Sequence, residues 1–368
     1  MVSEPVWAGT RRVTIAANMR AVLLTGHGGY DRLDFRDDVP LPKPGADDVL
    51  IRVAAAGVNN TDINTRIGWY SKSVAEATDA GAVSGIKGAG DDGWSGAAFR
   101  FPRIQGADAC GHIVAVGHNI NPARIGERVL VEPVFHGASR FDILYFGSEV
   151  DGGFADYTCV PAMHAHRVES QLSDIELASF PCAYGTAENI LTRINVQAGE
   201  RVLITGASGG VGSAAVQLAK RRGAEVIAMA SDTKAESVRA LGASQVIPRD
   251  ADLAALFGPE HFDAAVDIVG GPQFGEILNV LKRGGRYGVS GAISGPIVDL
   301  DLRTLYLKDL RLIGCTVLEP DVFANLVSYI ERGEIQPVVA AVYDISEIVK
   351  AQEAFLTKQH VGKIVLSL

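Results

Sequence analysis

Residues 201–212 read Arg-Val-Leu-Ile-Thr-Gly-Ala-Ser-Gly-Gly-Val-Gly, an apolar run that breaks into glycines and passes into the helix-periodic stretch Val211, Ala215, Leu218. A buried strand, a tight turn and a helix N-terminus in that order place unpaired backbone N–H groups where a pyrophosphate docks, at the positive end of the helix dipole. Against the pattern G-x-G-x-x-G the positions are Ala207, Gly209 and Gly212, with alanine in place of the first glycine. The competing reading is a turn that merely joins strand to helix, and the strand–loop–helix order favours a dinucleotide instead. Ser208, Gly209, Gly210 and Val211 are therefore expected to contact the cofactor.

Outward from this loop the chain changes rhythm. After about residue 168, strands at Val202–Thr205, Glu225–Ala230, Gln245–Ile247, Phe262–Ile268, Arg286–Val289 and Arg311–Val317 alternate with helices from Val211, near Lys234–Leu241 and near Phe274–Leu281. Such alternation predicts an α/β domain, a doubly wound parallel sheet with helices on both faces. Lys220, Arg221, Arg222 and Gly223 close the first helix, and Gly242 the second. Residues 19–167 instead carry short β-like runs, Ala21–Leu24, Val49–Ala55, Gly111–Val116 and Arg128–Val131, punctuated by Gly and Pro turns. The division expected is a dinucleotide-binding domain over 168–307 and a mostly β unit over 19–167, which 308–368 rejoins through helices at Val322–Arg332 and Glu347–Leu356 and a strand at Lys363–Leu368. Residues 71–100 form a Gly/Ala/Ser/Asp-rich insertion containing Trp94 and Phe99, which reads as a lid or a disordered loop. Residues 1–18 read as a flexible N-terminal extension.

The chain has 368 residues, 47% hydrophobic, 21% charged and 7% aromatic, with a formal charge of −9. That charge offers no basic field for nucleic acid or an anionic membrane, and no apolar run reaches the roughly 20 residues needed to span a bilayer. A cytoplasmic protein acting on a small molecule is expected. Cys110, Cys159, Cys182 and Cys315 include no C-x-x-C pair and read as reduced thiols.

Cofactor choice is read from the tip of the second strand, Met229-Ala230-Ser231-Asp232-Thr233-Lys234. An acid there would hold the ribose 2′-OH of NADH. Ala230 takes that position, while Ser231 and Lys234 offer a hydroxyl and a cation to a 2′-phosphate, so NADPH is favoured over NADH. Asp232 is the opposing signal.

Taken together, Gly57-Val-Asn-Asn-Thr-Asp62, Gly106-Ala-Asp-Ala-Cys-Gly-His-Ile-Val-Ala-Val-Gly117, Asp151-Gly-Gly-Phe-Ala-Asp-Tyr157, the glycine loop and His360-Val-Gly-Lys-Ile-Val365 resemble the medium-chain dehydrogenase/reductase family. The resemblance covers nearly everything after residue 18. It implies a GroES-like catalytic domain, a Rossmann domain, a cofactor in the cleft between them, and a homodimer or homotetramer. It adds Thr186, Arg249, Val269, Gly270, Ser290, Gly291 and Lys363 to the expected cofactor contacts. In zinc-dependent members a Cys and a His hold the catalytic metal where this chain has Asn59 and Ala107, with a third ligand near Cys182. A carboxamide and an alanine cannot replace a thiolate and an imidazole, so no catalytic zinc is expected, and Cys182 reads as a packing residue. Residues 133–150 stand in place of the structural zinc lobe without a cysteine. His112, His118, His136, His164 and His166 are scattered, and His164-Ala-His166 reads as satisfied or exposed imidazoles rather than metal ligands.

Without a Lewis acid, a hydride acceptor must be polarised by hydrogen bonds or already be electron-poor, as quinones and α,β-unsaturated carbonyls are. The chain resembles the zinc-free quinone oxidoreductase branch, and Asn59 through Tyr70 resembles the enoyl thioester reductase motif, which places Tyr70 on its proton-donating tyrosine. Packing against substrate is the other role open to Tyr70. Asn59 can donate an amide N–H to a substrate oxygen or to the nicotinamide ribose, or form a turn. Asp62 reads as an anchor of the strand–helix junction. The expected function is NADPH-dependent hydride transfer to a quinone, enone or other reactive carbonyl. The alternatives are a zinc-dependent alcohol dehydrogenase and an NADPH-binding sensor or structural protein with little turnover.

Overall fold

In the computed structural model, which describes residues 6–8, 11–13, 17–90, 93–94 and 98–368, the apolar runs of the nucleotide domain pair into one six-stranded parallel sheet. Its order is Gln245–Ile247, Glu225–Met229, Arg201–Ile204, Phe262–Asp267, Leu281–Val289 and Arg311–Gly314. Ile204 lies between Ala228 and Val266. Alternate residues of these strands enter different cores, with Val202 and Ile204 on one face and Leu203, Ile227 and Met229 on the other. Burial on both faces is why these strands read as continuous apolar runs. The boundary expected at residue 308 falls one strand early, because Arg311–Gly314 pairs with Arg286–Val289 and completes this sheet. Helix Val322–Glu331 likewise packs on Pro181–Arg193 through Phe323 and Leu326 of the same core.

The catalytic domain is built on the long strand Asp48–Val58. It pairs antiparallel with Cys110–Val116, Tyr157–Pro161 and the final strand Lys363–Ser367. Ile364 stands opposite Val58, so the register carries Lys363 to the level of Asn59. Helix Asn60–Ile67 starts directly after that strand. A parallel bridge joins Gly209 to Gly362, and Gly362 N–H donates to Ser208 O at 2.9 Å, which ties the last strand to the glycine loop.

The described part of the 71–100 insertion is irregular apart from a short turn at Thr78–Gly81, and it is packed rather than loose. The fully buried Arg66 donates to Ala82 O at 2.7 Å, Trp69 Nε1 donates to Glu76 O at 2.9 Å, and Thr78 N–H donates to Ile293 O of the nucleotide domain at 3.1 Å. Within the expected N-terminal extension, Val6–Ala8 and Arg11–Val13 pair as antiparallel strands; residues 1–5, 9–10 and 14–16 lie outside the described residues. Among the described residues no helix is long and apolar enough to cross a membrane.

Candidate active site

The glycine loop turns where Gly206 adopts a φ of 57°. Helix Gly210–Arg221 then begins with no side-chain cap, so its first N–H groups are left for a ligand. Glycine is required at Gly212, where a Cβ would stand 2.2 Å from Gly206 O. Ala207, at the first motif position, is fully buried, and its N–H donates to Met229 O at 3.0 Å. The neighbouring strand end is organised by Asp267, which the sequence did not single out. Asp267 accepts from Thr205 Oγ1 at 2.6 Å, Tyr287 OH at 2.5 Å, and the N–H groups of Val269 at 2.9 Å and Gly270 at 3.0 Å.

Ser208, Gly209, Gly210, Val211, Thr186, Ser231, Lys234, Arg249, Val269, Gly270, Ser290, Gly291, Lys363, Asn59 and Tyr70 all line one cleft of about 1800 Å³. At its far end Lys234 Nζ donates to Lys358 O at 2.5 Å. Burial, then the charge of Arg249, pulls Lys234 below the usual lysine range. Lys358, also a lining residue, is pulled down by burial and by Lys234. His360 is lowered by burial and by Lys358. Among the described residues none of Lys234, Arg249 and Lys358 has an ion-pair partner. These three cations line the same cleft as Asp232, Asp250, Asp252 and Glu276. Lys358 carries no local signal, because it lies 124 positions after Lys234 and belongs to no glycine-loop motif.

The opposite end is a buried polar knot. Lys363 Nζ, 3% exposed, donates to Val58 O at 3.1 Å, Asn59 Oδ1 at 2.5 Å and Asp108 Oδ2 at 2.7 Å. Asp108 also accepts Asn59 Nδ2 at 2.7 Å and the Cys182 N–H at 2.6 Å. A Cβ on Gly57 would stand 2.3 Å from Asp108 Oδ2, so that glycine lets the strand approach the carboxylate. Asn59 Nδ2 has its other bond with Gly57 O at 3.2 Å, which leaves the amide no free hydrogen for a substrate. Asn59 and Lys363 thus build the frame of the site, and the three ammonium protons of Lys363 are already committed.

Asp62 accepts Asn59 N–H at 2.7 Å and Gly106 N–H at 3.2 Å, which anchors the strand–helix junction. Burial raises its carboxyl to about 7 against the pull of those bonds and of Lys363. Tyr70 OH donates to Thr61 Oγ1 at 3.1 Å, and burial pushes the phenol up to about 12. Cys182 does more than pack. Its Sγ lies 3.2 Å from Tyr145 OH, and burial, with Asp108 next in effect, raises its thiol to about 12. Tyr145 comes from the hairpin Val134–His136 and Ile143–Tyr145, which fills the place of the missing zinc lobe. Asn60, also lining the cleft, keeps its Oδ1 without a partner, an acceptor available to a ligand hydroxyl.

A metal does not fit this donor set. Ala107 supplies no ligand atom, and the Asp108 carboxylate is spent on three donors. Among the described residues no group of three or more His, Cys, Asp or Glu side chains could hold a metal ion. His164 and His166 both bond Glu132, at 3.2 and 2.9 Å, as satisfied imidazoles. Those bonds, working against burial, hold Glu132 down at about 2.

Residues 45–170 match a family profile described as the alcohol dehydrogenase GroES-like domain, and residues 210–332 one described as zinc-binding dehydrogenase. A solved structure of a putative alcohol dehydrogenase from Sinorhizobium meliloti 1021 is 46% identical with a TM-score of 0.86, over 96% of this chain and 97% of that one. The chain belongs to the medium-chain dehydrogenase/reductase family. Among curated members, an acryloyl-coenzyme A reductase from Metallosphaera sedula is 28% identical over 95% of this chain and 100% of its own length. The human quinone oxidoreductase is 27% identical over 95% of this chain and 98% of its own. As a family member the protein is an NAD(P)H-dependent oxidoreductase, with the GroES-like and Rossmann domains expected of it.

Proposed function

We propose that this medium-chain reductase uses NADPH to reduce a quinone, an α,β-unsaturated carbonyl or another reactive carbonyl, without catalytic zinc. The observation that carries the reading is the Lys363–Asp108–Asn59 knot, which spends the carboxylate beside Ala107 on an ammonium, an amide and a backbone N–H. The names of the quinone oxidoreductase and acryloyl-coenzyme A reductase relatives point the same way. When bound, the reduced nicotinamide supplies a hydride. The chain's own residues bind and orient. The open helix end at Gly210 would hold the pyrophosphate, and Lys234, Arg249 and Lys358 would hold a 2′-phosphate. The Tyr70 phenol, protonated at neutral pH, gives a proton to the enolate or hydroquinone oxygen that forms as the hydride arrives.

Two measurements bear on this reading. Lys234→Ala is expected to weaken NADPH binding about 10- to 100-fold, the worth of a charge-assisted phosphate contact, and to leave NADH binding unchanged. Tighter NADH than NADPH binding by the unaltered protein would give the ribose to Asp232 instead. Protein purified without added zinc is expected to reduce 1,4-naphthoquinone while elemental analysis finds less than stoichiometric zinc; a full equivalent of tightly held zinc, lost together with activity on chelation, would reverse the assignment. We also expect a homodimer or homotetramer. Among the described residues Arg311–Gly314 is an edge strand of the nucleotide sheet, and a second copy pairing there would continue the sheet.

A further inference from the structure

The acceptor end of the cleft is walled by rings. Trp94, on the 71–100 insertion, stacks on Tyr145 with centroids 4.3 Å apart and planes at 24°. Trp69 meets Tyr70 edge-on at 5.7 Å and 76°. All four line the cleft. The insertion reaches across to the nucleotide domain through the Thr78–Ile293 hydrogen bond, and Ile293 is itself a lining residue. Asp79, on the insertion, and Lys363 also line this cleft, and the ammonium of Lys363 has no proton left to give. The cations able to meet a phosphate, Lys234, Arg249 and Lys358, stand at the nucleotide end, where the cofactor would use them.

We infer that Trp94 and Tyr145 form a preassembled aromatic plate for a flat, uncharged conjugated acceptor, so that the insertion selects quinones and aryl enones over thioesters with a phosphorylated handle. The inference rests on the reductase reading above and gives its site a substrate class. Two rings already in contact lose little freedom when a third planar group lies against them. Among the described residues that line the cleft, the cations other than the committed Lys363 are Lys234, Arg249 and Lys358, so a phosphorylated handle would compete with the cofactor for them.

The test compares 1,4-naphthoquinone, methyl vinyl ketone and crotonyl-coenzyme A as acceptors for the full chain with NADPH. Trp94→Ala is expected to raise the KM for naphthoquinone about tenfold, the upper range of one lost aromatic pair, and to leave the KM for methyl vinyl ketone and the Kd for NADPH unchanged. Trp94→Phe, which keeps a ring, is expected to recover most of the loss. Equal losses for both acceptors, no loss for either, or a kcat/KM higher for crotonyl-coenzyme A than for naphthoquinone would overturn the plate. Quenching of tryptophan fluorescence by the unreactive ring 2-naphthol, in the NADP+ complex, reads the plate without turnover. Quenching that disappears in Trp94→Phe, in a chain that reduces none of the acceptors, would keep the plate and sink the reductase reading. Reduction without quenching would do the reverse.

Discussion

Replacing Asp108 by alanine is expected to destabilise the protein by about 3–5 kcal/mol, because it leaves the buried Lys363 ammonium with no carboxylate bonded to it. For a chain of 368 residues that is a drop of about 4–6 °C in melting temperature, measurable by calorimetry or dye binding. The size of the effect comes from burial: Lys363 is 3% and Asp108 0% exposed, so water cannot take over either partner. Asp108 also anchors Asn59 and the N–H of Cys182, so its loss frees two further donors. Combining Asp108→Asn with Lys363→Met removes both charges and is expected to recover part of the stability lost in Asp108→Ala. A melting point unchanged by Asp108→Ala would mean that the ammonium reaches solvent and the knot is not the frame of the site.

Tyr70→Phe is expected to lower kcat at least about 100-fold with a quinone or enone, the range of a positioned general acid, with NADPH affinity intact. The ring stays, so packing against Trp69 survives and only the hydroxyl with its bond to Thr61 is lost. The pH profile supplies a second reading. Burial raises the Tyr70 phenol to about 12, so the proton-donating form stays complete from neutral pH up to about 10 and is lost only above that. Turnover limited by Tyr70 is therefore flat through the region where an exposed tyrosine would begin to ionise, near 10. An unchanged kcat in Tyr70→Phe would make this side chain a wall of the cleft.

Much of this architecture is legible in the chain because the nucleotide sheet is buried on both faces, so its strands stand out as apolar runs between turn residues. The glycine loop and the replacements at Asn59 and Ala107 are equally plain, since each is a local substitution in a recognisable pattern. Helix Pro181–Arg193 was not seen. It is buried on nearly every side between the two domains, so it shows no polar stripe and no amphipathic period. Strand Leu33–Pro40 escaped for the opposite cause: it is exposed along most of its length and carries charges where an alternating pattern would show. The chemistry of the acceptor end was hidden by distance. Lys363 meets Asp108 across 255 positions, and no local spacing signals that pairing. Asn59 was read as a donor to substrate because its sequence position cannot reveal that both of its hydrogens are spent on Asp108 and Gly57.

The strand that supplies Lys363 is the last of the catalytic sheet to be synthesised, while the carboxylate and amide that receive its ammonium belong to the first third of the chain. A nascent chain must make the entire nucleotide domain before Asp108 meets its cation. Until then the first-made sheet carries an uncompensated carboxylate and an unfilled edge beside Asp48–Val58, both of which disfavour early closure. The cleft is thereby completed only by a chain whose nucleotide domain already exists, and Gly362, one residue earlier, docks on the glycine loop in the same event.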